Sequence, residues 1–218
     1  TNWLVDGQRP TTLSTPPMVS SAFTWEKVYT LDFGVDFGFF DNRLNGTFDW
    51  YRRDTKGMLA PGMDLPWVVG VAAAKQNAAN LKTYGWELEL NWRDRIKDFN
   101  YRIGFNLYDS QSEITKFNNE TNLLGTYRKG QKIGEIWGYV TDYREDDFNA
   151  DGTLKEGIPI PKGVGKVYPG DILYKNFDDD ASTIWSGKGT ADDPGDQRII
   201  GNSTPRFHYG INAGLSWK

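Results

Sequence analysis

Four carboxylates stand out as groups that could do chemistry: Asp32 and Asp36 in the run Tyr29–Phe39, and Glu87 and Glu89 in the run Tyr84–Trp92. Paired acids of this kind carry glycoside hydrolysis, one protonating the leaving oxygen and the other activating water or attacking. Their spacing, however, is even in both runs, and even spacing along a β-strand puts side chains on one face. A wetted wall explains them without catalysis. Asp147, Asn149, Asp151 and Gly152 spell D-x-N-x-D-G, the opening of a calcium loop whose alternate oxygens converge on the ion. Its ninth position would be Lys155 and its twelfth Ile158, while Glu156 comes too early to be the bidentate acid. Asp147, Asn149 and Asp151 are therefore candidate calcium ligands, with a solvated Asx-type turn as the competing reading. Asp178, Asp179 and Asp180 form a second acidic cluster. Trp67, Trp137, Tyr139 and Trp185 lie in connecting segments and are candidate substrate-binding residues, because sugar C–H faces suit an aromatic surface. Packing within the loops, or against a partner, is the alternative. With one His, no Cys and no nucleophile motif, no catalytic residue is identified and an enzyme is not expected.

The elements that position these residues are strands. Within Tyr29–Phe39 the residues Tyr29, Leu31, Phe33, Val35, Phe37 and Phe39 alternate with Thr30, Asp32, Gly34, Asp36 and Gly38. A strict period of two divides a strand into an apolar and a polar face. After the short turn Asp41-Asn42 a return strand covers about Leu44 to Arg53 and continues towards Met58. A loop of about twenty residues from Pro61 to Leu81 leads to Tyr84, Trp86, Leu88, Leu90 and Trp92, alternating with Gly85, Glu87, Glu89 and Asn91. Lys97-Asp98 then turns into Tyr101, Ile103, Phe105 and Leu107, with a polar continuation to about Phe117. Roughly ninety residues, Asn118 to Arg206, follow in Gly-, Asp- and Pro-rich connections, with short strands expected at Glu135–Val140 and Asp171–Tyr174. The run Phe207–Trp217 is the last alternating stretch.

Composition narrows the medium. Aromatics are 15% of the 218 residues and Gly numbers 24, a profile of an all-β chain with many turns. A net charge of −4 lacks the basic surface that nucleic acid demands. The absence of Cys removes disulfides and thiolate metal sites. No apolar run approaches the roughly 20 residues of a membrane helix, which leaves membrane barrels open because their strands alternate. No signal peptide opens the chain at Thr1–Asp6.

The connections alternate short, long, short, very long, and Tyr and Trp residues flank the apolar faces. Outer-membrane barrels pair short periplasmic turns with long extracellular loops and carry aromatic girdles at both interfaces. A soluble β-sandwich carbohydrate-binding module would account for the aromatics and acidic turns, and leaves the one-sided loop lengths unexplained. The expected fold is thus all-β, an antiparallel transmembrane β-barrel segment of five long strands, too few to close alone.

Trp25-Glu26-Lys27, Leu31–Phe39, Asn42–Arg53, Gln76-Asn77-Ala78, Gly85-Trp86-Glu87-Leu88 and Asn91–Asp94 together resemble the SusC/RagA family of TonB-dependent outer-membrane transporters. Tyr101–Leu107, Ile133–Tyr139, Tyr168–Ile172 and Ile200–Gly210 extend the resemblance in family order. It implies a plugged barrel of about 22 strands. Residues 1–218 would be a late part of that barrel domain, with plug, TonB-contacting segment and final strands outside it. It further implies nutrient import, of glycan oligosaccharides mostly and peptides in some members, powered through TonB. A SusD-like lipoprotein would lid the mouth, and the setting would be the bacterial outer membrane. At Asp178–Asp180, where the family often carries a Gly-containing acidic turn, the Gly is absent.

Overall fold

The computed structural model describes residues 7–8, 18–21, 23–61, 66–71, 73–142, 145–177 and 183–217. Nine strands are present among them: β1 Lys27–Phe39, β2 Leu44–Ala60, β3 Gln76–Ile96, β4 Phe99–Lys116, β5 Glu135–Gly138, β6 Ile160–Pro161, β7 Thr183–Ile184, β8 Arg198–Asn202 and β9 His208–Trp217. β1, β2, β3, β4 and β9 form one antiparallel sheet in that order, with β1 and β9 at its open edges. β5 pairs with β8, and β6 with β7.

Register decides what the two faces are. One cross-strand row reads Val35, Phe48, Leu88, Leu107, Tyr209, and the next Phe37, Gly46, Leu90, Phe105, Ile211. The apolar sets of all five strands therefore coincide on one face, a coincidence that a one-residue slip in any strand would undo. That face is bare: Leu31 is 62% exposed, Phe33 61% and Ile211 71%. Only hydrogen-bonded neighbours touch one another among the described elements, so neither helix nor second sheet covers it. The buried hydrophobic residues are Ala60, Ile114, Leu173 and Ile184, none from mid-sheet. A sandwich would hide these rows between two sheets. A transmembrane wall leaves them to lipid. Tyr51, unlike Trp50, turns to the opposite face beside Gly85 and so lies outside the aromatic girdle.

The long strands outrun their alternation. β3 begins at Gln76 rather than after Leu81, because Asn77 and Ala79 pair with Leu59 and Met58 of β2 although their side chains show no apolar period. At the foot of β1 the turn spans four residues, Phe40 to Arg43, and Phe40, Asp41 and Asn42 all have φ between 55° and 61°. Asp and Asn tolerate that left-handed region far better than Phe does. Phe40 packs its ring 6.0 Å from Trp92. At the foot of β3 the connection is Lys97-Asp98 alone.

The described residues between β4 and β9 are held by hydrogen bonds and short strands. Residues 130–133 take over the upper edge of β4, with N–H groups of Ile114 and Ile133 donating to Gln131 and Ser112 carbonyls at 2.9 and 2.8 Å. β8, which lacks alternation, pairs with β5. The expected strand at Asp171–Tyr174 reduces to one bridge between Thr141 and Tyr174, extended by Lys175 N–H donating to the Val140 carbonyl at 2.8 Å.

Candidate functional site

The lumen face of the sheet carries the four acids. Asp32 and Asp36 lie on β1 and Glu87 and Glu89 on β3, with β2 between them. Two strand spacings separate the pairs by about 10 Å. Thr47 Oγ1 donates to Asp36 Oδ1 at 2.7 Å, and Asn91 Nδ2 to Glu89 Oε1 at 2.7 Å. These are carboxylates solvated by their strand neighbours, a polar wall.

Above the sheet, the chain between β4 and β9 builds its own small core. Leu173 is 1% exposed and Ile184 3%. Asp196 is fully buried, its Oδ1 accepting the Phe177 N–H at 2.6 Å and its Oδ2 the Trp185 N–H at 3.0 Å. The Arg128 guanidinium pairs with Glu135, and both side chains are more than nine-tenths buried. The candidate aromatics are recruited into this packing. Trp137 Nε1 donates to Glu135 Oε1 at 2.5 Å while the Arg128 guanidinium sits 5.2 Å from its ring centroid. Tyr139 packs on Tyr174 at 5.4 Å, and Lys162 Nζ lies 4.5 Å from the Trp185 ring. No ring contact among the described residues joins any two of Trp137, Tyr139 and Trp185. Trp67 starts a short 3-10 turn, Trp67–Val69, and its side chain lies outside the described residues, as do Asp178–Asp180.

The calcium-like sequence folds as a tight turn. Thr153 donates to Asp151 Oδ1 twice, from Oγ1 at 2.6 Å and from its N–H at 2.9 Å. Those bonds, the hydroxyl foremost, hold the Asp151 carboxyl below the usual carboxylate range. Asn149 Nδ2 donates to Thr153 Oγ1 at 3.0 Å, Lys155 N–H donates to the Asp147 carbonyl at 2.9 Å, and Gly152 takes φ 80°. Among the described residues no three His, Cys, Asp or Glu side chains gather as a metal site.

Two features need register rather than composition to be found. Arg206, just ahead of β9, grips Asp109 of β4 through Nε at 2.5 Å and Nη2 at 2.6 Å, and Asp109 is 7% exposed. This fork-on-carboxylate clasp seats β9 where the long excursion returns to the sheet. The second feature is a cavity of about 730 Å³ at the upper end of the sheet, lined by Leu81, Ile114, Phe117, Leu124, Tyr127 and others.

The two-faced sheet, the short turns at one end and the ordered excursion at the other have counterparts in known proteins. A family model described as "TonB dependent receptor-like, beta-barrel" matches residues 5–218. The chain belongs to the TonB-dependent receptor β-barrel family. The members of this family are bacterial outer-membrane proteins. TonB-dependent receptor P3 of Formosa agariphila is 30% identical over 208 residues, covering 89% of this chain and 19% of that protein. TonB-dependent receptor SusC of Bacteroides thetaiotaomicron is 28% identical over 204 residues, covering 76% of this chain and 20% of SusC. The RagAB peptide importer in its "closed-closed" state superposes with a TM-score of 0.57 at 25% identity, over 90% of this chain and 20% of the matched chain. This chain thus spans about a fifth of the length of each, and its resemblance to SusC/RagA transporters rests on both sequence and fold.

Proposed function

We propose that residues 1–218 form part of the barrel wall of a TonB-dependent importer in a bacterial outer membrane. Its cargo would be glycan oligosaccharides, taken up together with a SusD-like surface lipoprotein and with TonB supplying the energy. The observation that carries this reading is the five-strand apolar face, continuous in register and uncovered by any other element among the described residues. A lipid-facing wall of this kind transports and has no need of catalytic groups. Peptide cargo is the second reading, favoured by the likeness to a peptide importer. For Asp147, Asn149 and Asp151 the turn's own hydrogen bonds favour a structural role. Calcium is the competing proposal there.

The full-length protein, produced with a SusD-like lipoprotein, tests the main reading. It should need detergent to stay monomeric and should run as a heat-modifiable barrel. The purified pair should bind an oligosaccharide pool in preference to a peptide pool. A monomer that is well behaved without detergent would sink the membrane reading. Preference for peptides would reverse the cargo assignment.

A further inference from the structure

The apolar set slants across the sheet. In β1 it runs from Tyr29 to Phe39, and in β4 from Phe99 to Leu107. Phe39 shares its row with Leu44, Trp92 and Ile103, and Phe99 lies four residues from Ile103 towards the short turns. At the other border Leu107 shares the row of Val35, and Tyr29 lies six residues from Val35 away from the turns. A slide of about 14–20 Å over three strand spacings, about 14 Å, is what strands tilted by roughly 45° show against a flat membrane band. At that tilt the ten steps from Tyr29 to Phe39 rise about 24 Å, close to the roughly 25 Å height of such a band.

Away from the short turns this same face becomes charged. Its rows are Phe33–Trp50–Trp86–Asp109, then Leu31–Arg52–Tyr84–Gln111, then Tyr29–Asp54–Lys82–Glu113. Each acid in them has a cation. Arg52 Nε lies 2.8 Å from Asp54 Oδ2, Lys82 Nζ lies 2.8 Å from Glu113 Oε2, and Arg206 grips Asp109. One row further, Lys27 stands directly opposite Lys56, and both residues are exposed. Like charges so placed weaken a sheet. Lys56 Nζ lies 5.2 Å from the Tyr29 ring centroid, and neither lysine has a carboxylate within 4.0 Å among the described residues. The belt is thus neutral pair by pair, with two surplus positive charges in its top row.

With the strands tilted by roughly 45°, Lys27 stands about 5 Å above Tyr29, and Lys56 on the next strand about 3 Å higher. That is headgroup depth, since headgroups add about 5–7 Å to each side of the hydrocarbon. We propose that Lys27 and Lys56 clamp a phosphate on the headgroup of a lipid in the leaflet that borders the long connections. A phosphate between the two ammonium groups offsets their repulsion and gives their N–H donors charged acceptors. The acyl chains of that lipid would lie along Leu31, Phe33 and Val35, which continue the same face and are exposed. Cargo in the lumen cannot reach the pair, because it lies on the other side of the wall. This inference rests on the reading of the sheet as a membrane-spanning wall.

The test uses the full-length protein in detergent, as wild type, Lys27→Gln/Lys56→Gln, Lys27→Arg/Lys56→Arg and Lys97→Gln, the last at the opposite border. Native mass spectrometry reads how much added diphosphoryl lipid A each protein retains, and how much of the dephosphorylated lipid. The double Gln variant should retain the phosphorylated lipid about twentyfold less well, roughly fivefold per lysine, and the double Arg variant should retain it like the wild type. Equal retention by the wild type and the double Gln variant overturns the proposal. So does equal retention of both lipids by the wild type, or an equal loss in Lys97→Gln. Inorganic phosphate bound by the wild type and lost in the double Gln variant, with lipid retention unchanged, would make the pair a free-anion site and also overturns it. Heat-modifiable mobility reads the barrel separately. A wild type without it sinks the membrane wall itself; with it, unchanged lipid retention sinks only the headgroup clamp. If the double Gln variant alone lacks it, Lys27→Gln decides.

Discussion

The sheet and the excursion between β4 and β9 bury themselves in opposite ways. The sheet has long hydrogen-bonded ladders and leaves its apolar side chains uncovered for lipid to meet. The excursion has short ladders and encloses a few groups completely, with Leu173, Ile184 and the carboxylate of Asp196 at its centre. One region is stabilised by its solvent, the other by internal pairing of polar groups. The same substitution chemistry should therefore have opposite consequences in the two.

The largest effect is expected inside the excursion. Asp196→Ala leaves the N–H groups of Phe177 and Trp185 buried without acceptors, at a cost of about 4 kcal/mol. Limited proteolysis should then cut the excursion while the heat-modifiable barrel persists. A resistant excursion would show that its core does not depend on that carboxylate. In the sheet, Val35→Arg faces lipid and should cost about 2–4 kcal/mol in a membrane-folding titration, whereas Thr47→Arg on the lumen face should cost under about 1. Equal costs would erase the distinction between the faces. The smallest effect concerns the Asp151 turn, exposed to solvent. Its carboxyl titrates below the usual value when folded, so the turn's extra stability is complete above about pH 4 and is lost as pH falls through the folded value. Amide exchange at Thr153 should accelerate over that range, and Thr153→Ala, which removes the hydroxyl and keeps the N–H, should weaken the dependence. Added calcium should leave the exchange unchanged; slowing would establish the ion site.

The centres of the five long strands are legible in the sequence because lipid and water enforce a period of two on them. Their ends are not: Gln76–Thr83 shows no alternation of apolar and polar residues, and that part of β3 is fixed by its pairing with β2 and β4. β8, Arg-Ile-Ile-Gly-Asn, is fixed by its partner β5 rather than by pattern. The acids Asp32, Asp36, Glu87 and Glu89 fall on the wetted face as their spacing requires. The facing of Arg93 and Arg102 escapes a strand-by-strand reading because it exists only across strands. A signal for it was present: in a hairpin closed by Lys97-Asp98, Arg93 and Arg102 stand equally far from the turn and must face each other. The clasp of Arg206 on Asp109 joins residues 97 positions apart, beyond any local pattern.

That clasp bears on the order of assembly. β1 to β4 can zip as successive hairpins, whereas β9 must close a loop of nearly a hundred residues before it gains one ladder bond. Loop-closure entropy makes that junction about 3 kcal/mol costlier than a four-residue turn. Prior folding of the excursion shortens the effective loop, and the fork of Arg206 on Asp109 makes the first contact at the seam a strong one. The wall would grow strand by strand up to β4, pause while the excursion consolidates, and resume from Arg206 downward.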